Sequence, residues 1–203
     1  MFFDIGANEG RWSIANLKYA DKIIAIDASP TAFNRLKQNV KNYPNIVCLN
    51  YAVCNSKEDV TFYNSYCDTV STLDINWLVS EKSRFGNQWS YSEVKCKPIS
   101  IDQLIVTYGQ PELIKVDVES GEYEAISSLT KKVKNLCFEW ASEMNDVTLK
   151  CIDYLISLGF TEFAYQLDDN YTTRPDKYTT AHDVVEFLKT TTPKKEWGMI
   201  WAR

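Results

Sequence analysis

The residues of this sequence that could do chemistry fall where apolar runs end. Phe2–Ile5 is such a run, and it leads into Asp4-Ile5-Gly6-Ala7-Asn8-Glu9-Gly10 just before a helical stretch. Gly6 permits a tight turn and lets a ligand approach the backbone closely. The helix N-terminus beyond Gly10 offers unpaired N–H donors and about half a positive charge, which suits a carboxylate as well as a phosphate. A second apolar run ends in Asp27, 17 residues after Gly10, at a strand-to-helix junction. A carboxylate there can accept hydrogen bonds from both hydroxyls of a ribose. Together the two features predict an adenosine-containing cofactor. The dinucleotide fingerprint needs a second glycine two positions after the first. That position is Asn8, and Gly10 comes four after Gly6, so NAD and FAD are disfavoured. Asp4 fits an acid that organises the loop around a cationic amino-acid cofactor.

Further candidates lie downstream. Asp117, Glu119 and Glu139 are placed at strand ends, where ligands bind in open α/β sheets. His182, the only histidine, follows the loop Asp168–Thr180 at the start of a helix. Three carboxylates suit Mg²⁺, yet spacing assigns no residue to a metal. The stretch 62–91 carries Phe62, Tyr63, Tyr66, Trp77, Phe85, Trp89 and Tyr91, and Tyr165, Tyr171 and Tyr178 surround the second loop. Aromatic faces flanked by Asn, Gln, Ser and Asp suit a polyol with one apolar face. Core packing competes for Phe62 and Trp77.

The elements that must position these residues alternate. Strands are expected at Phe2–Ile5, Lys22–Asp27, Asn45–Asn50, Leu113–Asp117, Lys134–Trp140, Phe160–Leu167 and Trp197–Ala202. Helices are expected at Arg11–Tyr19, after Ser29-Pro30 (an N-cap followed by a first-turn proline), and at Ile101–Val106, Tyr123–Leu129, Val147–Leu158 and Ala181–Lys189. Val60–Tyr63 and Glu93–Ile99 read as additional strands, with weak periodicity over residues 64–93. Continuous apolar strands alternating with helices predict a mainly parallel, doubly wound sheet with helices on both faces.

With 203 residues, 45% of them hydrophobic, the chain has length and apolar content for one domain. Its 22 Lys+Arg against 27 Asp+Glu leave no basic face for nucleic acid. The six cysteines include no CxxC pair or zinc spacing, and Cys48 and Cys137 sit in apolar runs, so reduced thiols are expected. No signal peptide and no apolar run near 18 residues is evident, so a cytoplasmic location without membrane contact is expected. Because the chain opens in mid-sheet, residues 1–203 are expected to be one domain of a longer, multidomain protein.

Four segments, in order, resemble the FkbM-type methyltransferases. They are Asp4 to Gly10, Ile26-Asp27-Ala28-Ser29-Pro30, Asn50-Tyr51-Ala52-Val53, and Leu113-Ile114-Lys115-Val116 running into Asp117-Val118-Glu119-Ser120-Gly121-Glu122. The resemblance spans Asp4 to about Phe160. It implies a Rossmann-like class I fold whose seven-stranded sheet ends in an antiparallel strand, S-adenosylmethionine as cofactor, and O-methylation, often of sugars or polyketide-type hydroxyls. Gly6, Ala7 and Asn8 would line the methionine end, and Asp27 would hold the ribose. Ala28 and Ser29 would lie beside the adenosine, Asn50, Ala52 and Val53 would border the adenine, and Asp117 would sit near the sulfonium. Ser120 stands where the family's Asp-Val-Glu-Gly has glycine, which puts the turn after Asp117 in question. Proton removal from the acceptor is expected to involve Asp117, Glu139 and His182, directly or through a divalent cation. An NAD-dependent oxidoreductase and an inactive accessory domain are the alternatives.

Overall fold

The computed structural model describes residues 1–203, the side chain of Asp68 excepted. Seven strands form the central sheet: β1 Phe2–Ile5, β2 Ile23–Ile26, β3 Ile46–Leu49, β4 Leu113–Val116, β5 Leu136–Ala141, β6 Phe163–Leu167 and β7 Trp197–Ala202. Their order is β6-β7-β5-β4-β1-β2-β3. Strands β3, β2, β1, β4 and β5 pair in parallel. β7 pairs antiparallel with both β5 and β6, so it alone runs against the rest. This is the arrangement that the resemblance implies.

All four residues of β1, β2 and β4 are buried, which is why their sequences are unbroken apolar runs apart from Asp4 and Lys115. Alternate side chains feed two cores. Phe3, Ile5, Ile24, Ile26, Ile114 and Phe138 pack on one face, under helices α4 (Ile101–Tyr108), α5 (Glu122–Ile126), α6 (Asn145–Ser157) and α7 (Ala181–Thr190). Phe2, Ile23 and Ala25 pack on the other, with Trp12 of α1 (Arg11–Asn16) and Leu36 of α2 (Pro30–Asn39). Ser29 caps α2 as expected, accepting from Ala32 N at 3.2 Å. All six cysteines are free thiols. Among the described residues, no helix is long and apolar enough to cross a membrane.

Several boundaries differ from the sequence expectation. The first helix becomes a 3₁₀ turn over Leu17–Tyr19 after Asn16. The Asn16 amide donates to Trp12 O at 3.0 Å and to Tyr171 O at 2.8 Å, so it competes with continued helix. β6 starts at Phe163, since Gly159 turns the chain at φ +95° and Phe160 is spent on the core. The expected strand Glu93–Ile99 divides: Tyr91–Cys96 pairs antiparallel with Val60–Ser65, and Pro98–Ile99 pairs in parallel with Ala52–Val53. The short helix α3, Ile75–Val79, was not legible in the sequence. Five residues carry little periodicity, and its signal is the Asp74 cap, which accepts from Asn76 N at 3.0 Å.

Candidate active site

The carboxyl ends of the parallel strands open into a cavity of about 540 Å³, within the range of small-molecule sites. The loop after β1 forms part of its lining. Gly6 has φ +77°, and a Cβ there would stand 1.7 Å from the carbonyl oxygen of Asp117. Glycine is therefore what lets this loop lie against the end of β4. Asn8 is also left-handed, at φ +47°, a conformation asparagine tolerates. The N–H groups of Gly6 and Ala7 both donate to Ile26 O at 2.9 Å, and that of Asn8 to Asp27 Oδ2 at 2.7 Å. These three donors serve the fold.

Asp27 is only 9% exposed. Its Oδ1 accepts from Ser29 N at 2.8 Å, so each carboxylate oxygen holds one backbone N–H. Burial pushes its pKa up to about 6, with those two N–H groups pulling the other way. An ionised carboxylate has about four acceptor positions, which leaves capacity toward the cavity that Asp27 lines. Ala28, Tyr51, Ala52, Val53 and Phe62 add apolar lining. A diol acceptor beside an apolar slot, reached past a glycine loop, fits the nucleoside of S-adenosylmethionine.

The floor behind the loop is ionic. Asp4 and Lys115 are register partners on β1 and β4. Lys115 Nζ, in a side chain 3% exposed, lies 3.3 Å from Asp4 Oδ1, 3.1 Å from Asp117 Oδ2 and 3.0 Å from Gly6 O. Burial alone would lower its pKa, but Asp117 and Asp4 outweigh it and the ammonium is held well above its usual range. Ser13 Oγ donates to Asp4 Oδ2 at 2.6 Å. Asp4 is thus a buried counter-ion that positions the loop from below and does not line the cavity. Lys115, which sequence reasoning passed over, does line it.

Beyond β4 the backbone turns through two left-handed residues, Glu119 at φ +56° and Ser120 at φ +76°. Ser120 thus adopts the conformation for which glycine is suited, at a cost of about 1–2 kcal/mol. Its Oγ donates to Asp74 Oδ2 at 3.0 Å, which helps hold it there. Trp77 Nε1 donates to Glu119 Oε2 at 2.9 Å. Carboxylate oxygens of Asp117, Glu119 and Glu139 all lie within 4.8 Å of one another. Burial, then Asp117 and Glu122, raise the Glu119 pKa well above the usual carboxylate range. Burial, then Asp117 and Glu119, do the same for Glu139. Asp169, from the loop after β6, also lines the cavity, and burial pushes it up to about 6, with Lys115 opposing and Asp117 adding.

Of the expected site residues, Gly6, Ala7, Asn8, Asp27, Ala28, Ala52, Val53, Asp117 and Glu139 line this one cavity. Gly10, Ser29 and Asn50 stand behind the lining. A Cβ on Gly10 would meet Leu36 Cδ1 at 2.7 Å, and the Asn50 amide donates to Asp27 O and Ala28 O at 2.8 and 3.1 Å. His182 is a correction. It is exposed in the first turn of α7, whose Val184 and Leu188 face the core, and it does not line the cavity. Phe62, Trp77, Phe85 and Tyr171 line the cavity, whereas Tyr66, Trp89 and Tyr91 are exposed and outside the lining. Tyr165 stacks on Phe187 at 3.6 Å, away from the cavity lining.

Comparison with known proteins bears on the family and the fold. A curated relative, the hexuronic acid methyltransferase AglP of Haloferax volcanii, is 24% identical over 141 residues, covering 68% of this chain and 53% of that protein. The chain therefore spans about half the length of that relative. Precorrin 8w decarboxylase from Methanobacterium thermoautotrophicum superposes with a TM-score of 0.51 at 10% identity, over 100% of this chain and 80% of that one. The N-methyltransferase NodS from Bradyrhizobium japonicum, solved with S-adenosyl-L-homocysteine, gives 0.49 at 12% identity, over 100% and 76%. The methyltransferase FkbM domain matches residues 4–189, and the chain belongs to that family.

Proposed function

We propose that this chain transfers the methyl group of S-adenosylmethionine to a hydroxyl of a sugar or glycan. One observation carries the reading. A single cavity joins the Gly6–Asp27 half, suited to a nucleoside, to an aromatic and acidic half in which the Glu139 carboxylate has no hydrogen-bond or ion-pair partner among the described residues. The name of the curated relative supports a sugar acceptor.

When bound, S-adenosylmethionine supplies the electrophilic methyl. Asp27 would hold the ribose hydroxyls, Tyr51, Ala52 and Val53 would flank the purine, and Gly6, Ala7 and Asn8 would border the methionine end. Asp117, held by Lys115 at 3.1 Å, would offer a negative charge to the sulfonium. Trp77, Phe85 and Tyr171 align the acceptor ring, since in-line transfer depends on orientation. Glu139 would take the proton of the acceptor hydroxyl during the transfer. Burial, then Asp117 and Glu119, raise its affinity for a proton above that of an ordinary carboxylate, and a base that holds the proton more firmly takes it more readily. The mutual spacing of Asp117, Glu119 and Glu139 favours a second version, in which they hold a divalent cation that lowers the hydroxyl pKa.

The test is a thermal-shift and turnover pair. S-adenosylhomocysteine should stabilise the fold and NAD should not. Methyl transfer to sugar-bearing acceptors should survive EDTA if Glu139 is the base. Loss in EDTA with recovery in Mg²⁺ would move the role to the cation.

A further inference from the structure

We propose that Asp169, in the loop after β6, receives the α-ammonium group of the cofactor's amino-acid tail. The inference rests on the methyl-transfer reading and adds a contact to the cofactor half of the same cavity.

S-adenosylmethionine ends in a zwitterion, whose ammonium brings donors that need acceptors. The acid expected to organise the glycine loop around that group is Asp4, but Asp4 is engaged elsewhere. Its Oδ2 accepts from Ser13 Oγ at 2.6 Å, its Oδ1 lies 3.3 Å from Lys115 Nζ, and the residue is fully buried beneath the loop. Asp117 shares the same lysine at 3.1 Å, and the Gly6 carbonyl accepts from it at 3.0 Å. The acceptors at the ends of β1 and β4 thus serve one internal cation. Asp169 lines the cavity, and its carboxylate has neither a hydrogen-bond nor an ion-pair partner among the described residues.

The residues on either side of Asp169 are anchored. Asp168 is left-handed, at φ +59°, and its N–H donates to Trp197 O at 3.0 Å. Gly198 permits that close passage, since a Cβ there would stand 2.0 Å from Gln166 O. Beyond Asp169, Tyr171 O accepts from the buried Asn16 Nδ2 at 2.8 Å, which ties the loop to α1. Further on, the Arg174 guanidinium lies 5.1 Å from the Phe2 ring and 5.3 Å from the Tyr19 ring. The loop is therefore pinned to β7 at one end and, at the other, to the helix that the glycine loop starts. The charges that act on Asp169 are those of Lys115, Asp117 and Asp4, the floor of that same end. A carboxyl pushed up only to about 6 is ionised at neutral pH, as an ammonium partner must be. Arg11, the first residue of α1, also lines the cavity, so the α-carboxylate of the tail finds a cation beside the acid.

The contact is tested by isothermal titration calorimetry of the full chain with S-adenosylhomocysteine and with its deaminated analogue, in which hydrogen replaces the α-amino group. Asp169→Asn keeps the shape of the side chain and removes its charge. It should raise the Kd for S-adenosylhomocysteine about tenfold, the loss of one charge-assisted hydrogen bond. The analogue, which has no ammonium to lose, should bind no more weakly than to the parent. The melting temperature should not fall, because the fold takes no contact from this carboxylate. Equal weakening of both ligands would make Asp169 a support of the loop, and a Kd for S-adenosylhomocysteine within twofold of the parent would leave it outside the cofactor site. Either result overturns the proposal. Failure of the parent itself to bind S-adenosylhomocysteine removes the underlying reading, and the proposal with it.

Discussion

Replacing Asp27 separates its role in the cofactor site from its role in the fold. Its carboxylate oxygens hold the N–H groups of Asn8 and Ser29 at 2.7 and 2.8 Å. Asp27→Ala strips both, and each buried donor left unsatisfied costs about 1–3 kcal/mol. Alanine should therefore lower the melting temperature as well as cofactor affinity. Asp27→Asn is the cleaner variant. It keeps one oxygen for a backbone N–H, and it removes a charge that burial already disfavours. Asparagine leaves one backbone N–H without an acceptor where alanine leaves two, so its melting temperature should fall by less than alanine's, at about 2–4 °C for each kcal/mol lost at this size. Toward the ribose, the amide loses a charge-assisted acceptor worth about 1.5–3 kcal/mol. That corresponds to a roughly 10- to 150-fold rise in Kd for S-adenosylhomocysteine, measured by isothermal titration calorimetry. A Kd within threefold of the parent, with normal stability, would refute the assignment of Asp27 to the cofactor.

Three further outcomes are expected. The Asp27 pKa of about 6 lies above its ordinary 3.8, so cofactor affinity, which needs the ionised form, should weaken below pH 6 and be flat with pH in Asp27→Asn. By the same linkage the cofactor-free fold binds more protons than the unfolded chain between these values, so its stability should fall as pH rises from 3.8 to about 6; calorimetry and thermal melts across pH 4–8 check both. Glu139→Gln should cut turnover by about 10²- to 10⁴-fold while the Kd for S-adenosylhomocysteine moves less than twofold, and His182→Ala should leave both unchanged; the opposite pattern would return the base to the histidine. Gly6→Ala would press a methyl group into Asp117 O at 1.7 Å, so it should abolish cofactor binding and lower the melting temperature, and a variant that still binds normally would contradict the close approach of the two loops.

The half of the cavity proposed for the cofactor was legible because its signals are local. β2 is an unbroken apolar run and β1 is interrupted only by Asp4, and the glycine loop and Asp27 follow them within a few residues. The Ser29-Pro30 helix start is just as local. The other half was legible only in part: Glu119, Glu139, Trp77, Phe85 and Tyr171 stand out in the sequence and line the cavity, but the contacts that arrange them form only in three dimensions. Arg84 and Glu143 are 59 residues apart, and Asn16 reaches Tyr171 across 155. Lys115 sits inside the run Leu113–Val116, where nothing in the spacing shows that Asp4 is its register partner on β1. Asp169 lies in a loop without periodicity. His182 misled for the same reason: being the only histidine says nothing about which face of α7 carries it. The turn at Ser120 was flagged as a departure, and the structure resolves it by letting serine take the left-handed position.

The most direct test of the account is a crystal structure of the chain with S-adenosylhomocysteine. The account expects the ligand across the carboxyl ends of β1 and β2, its ribose hydroxyls about 2.5–3.0 Å from Asp27 and its sulfur facing Asp117 and Glu139. A ligand bound at the opposite edge of the sheet, or one whose ribose does not touch Asp27, would contradict it.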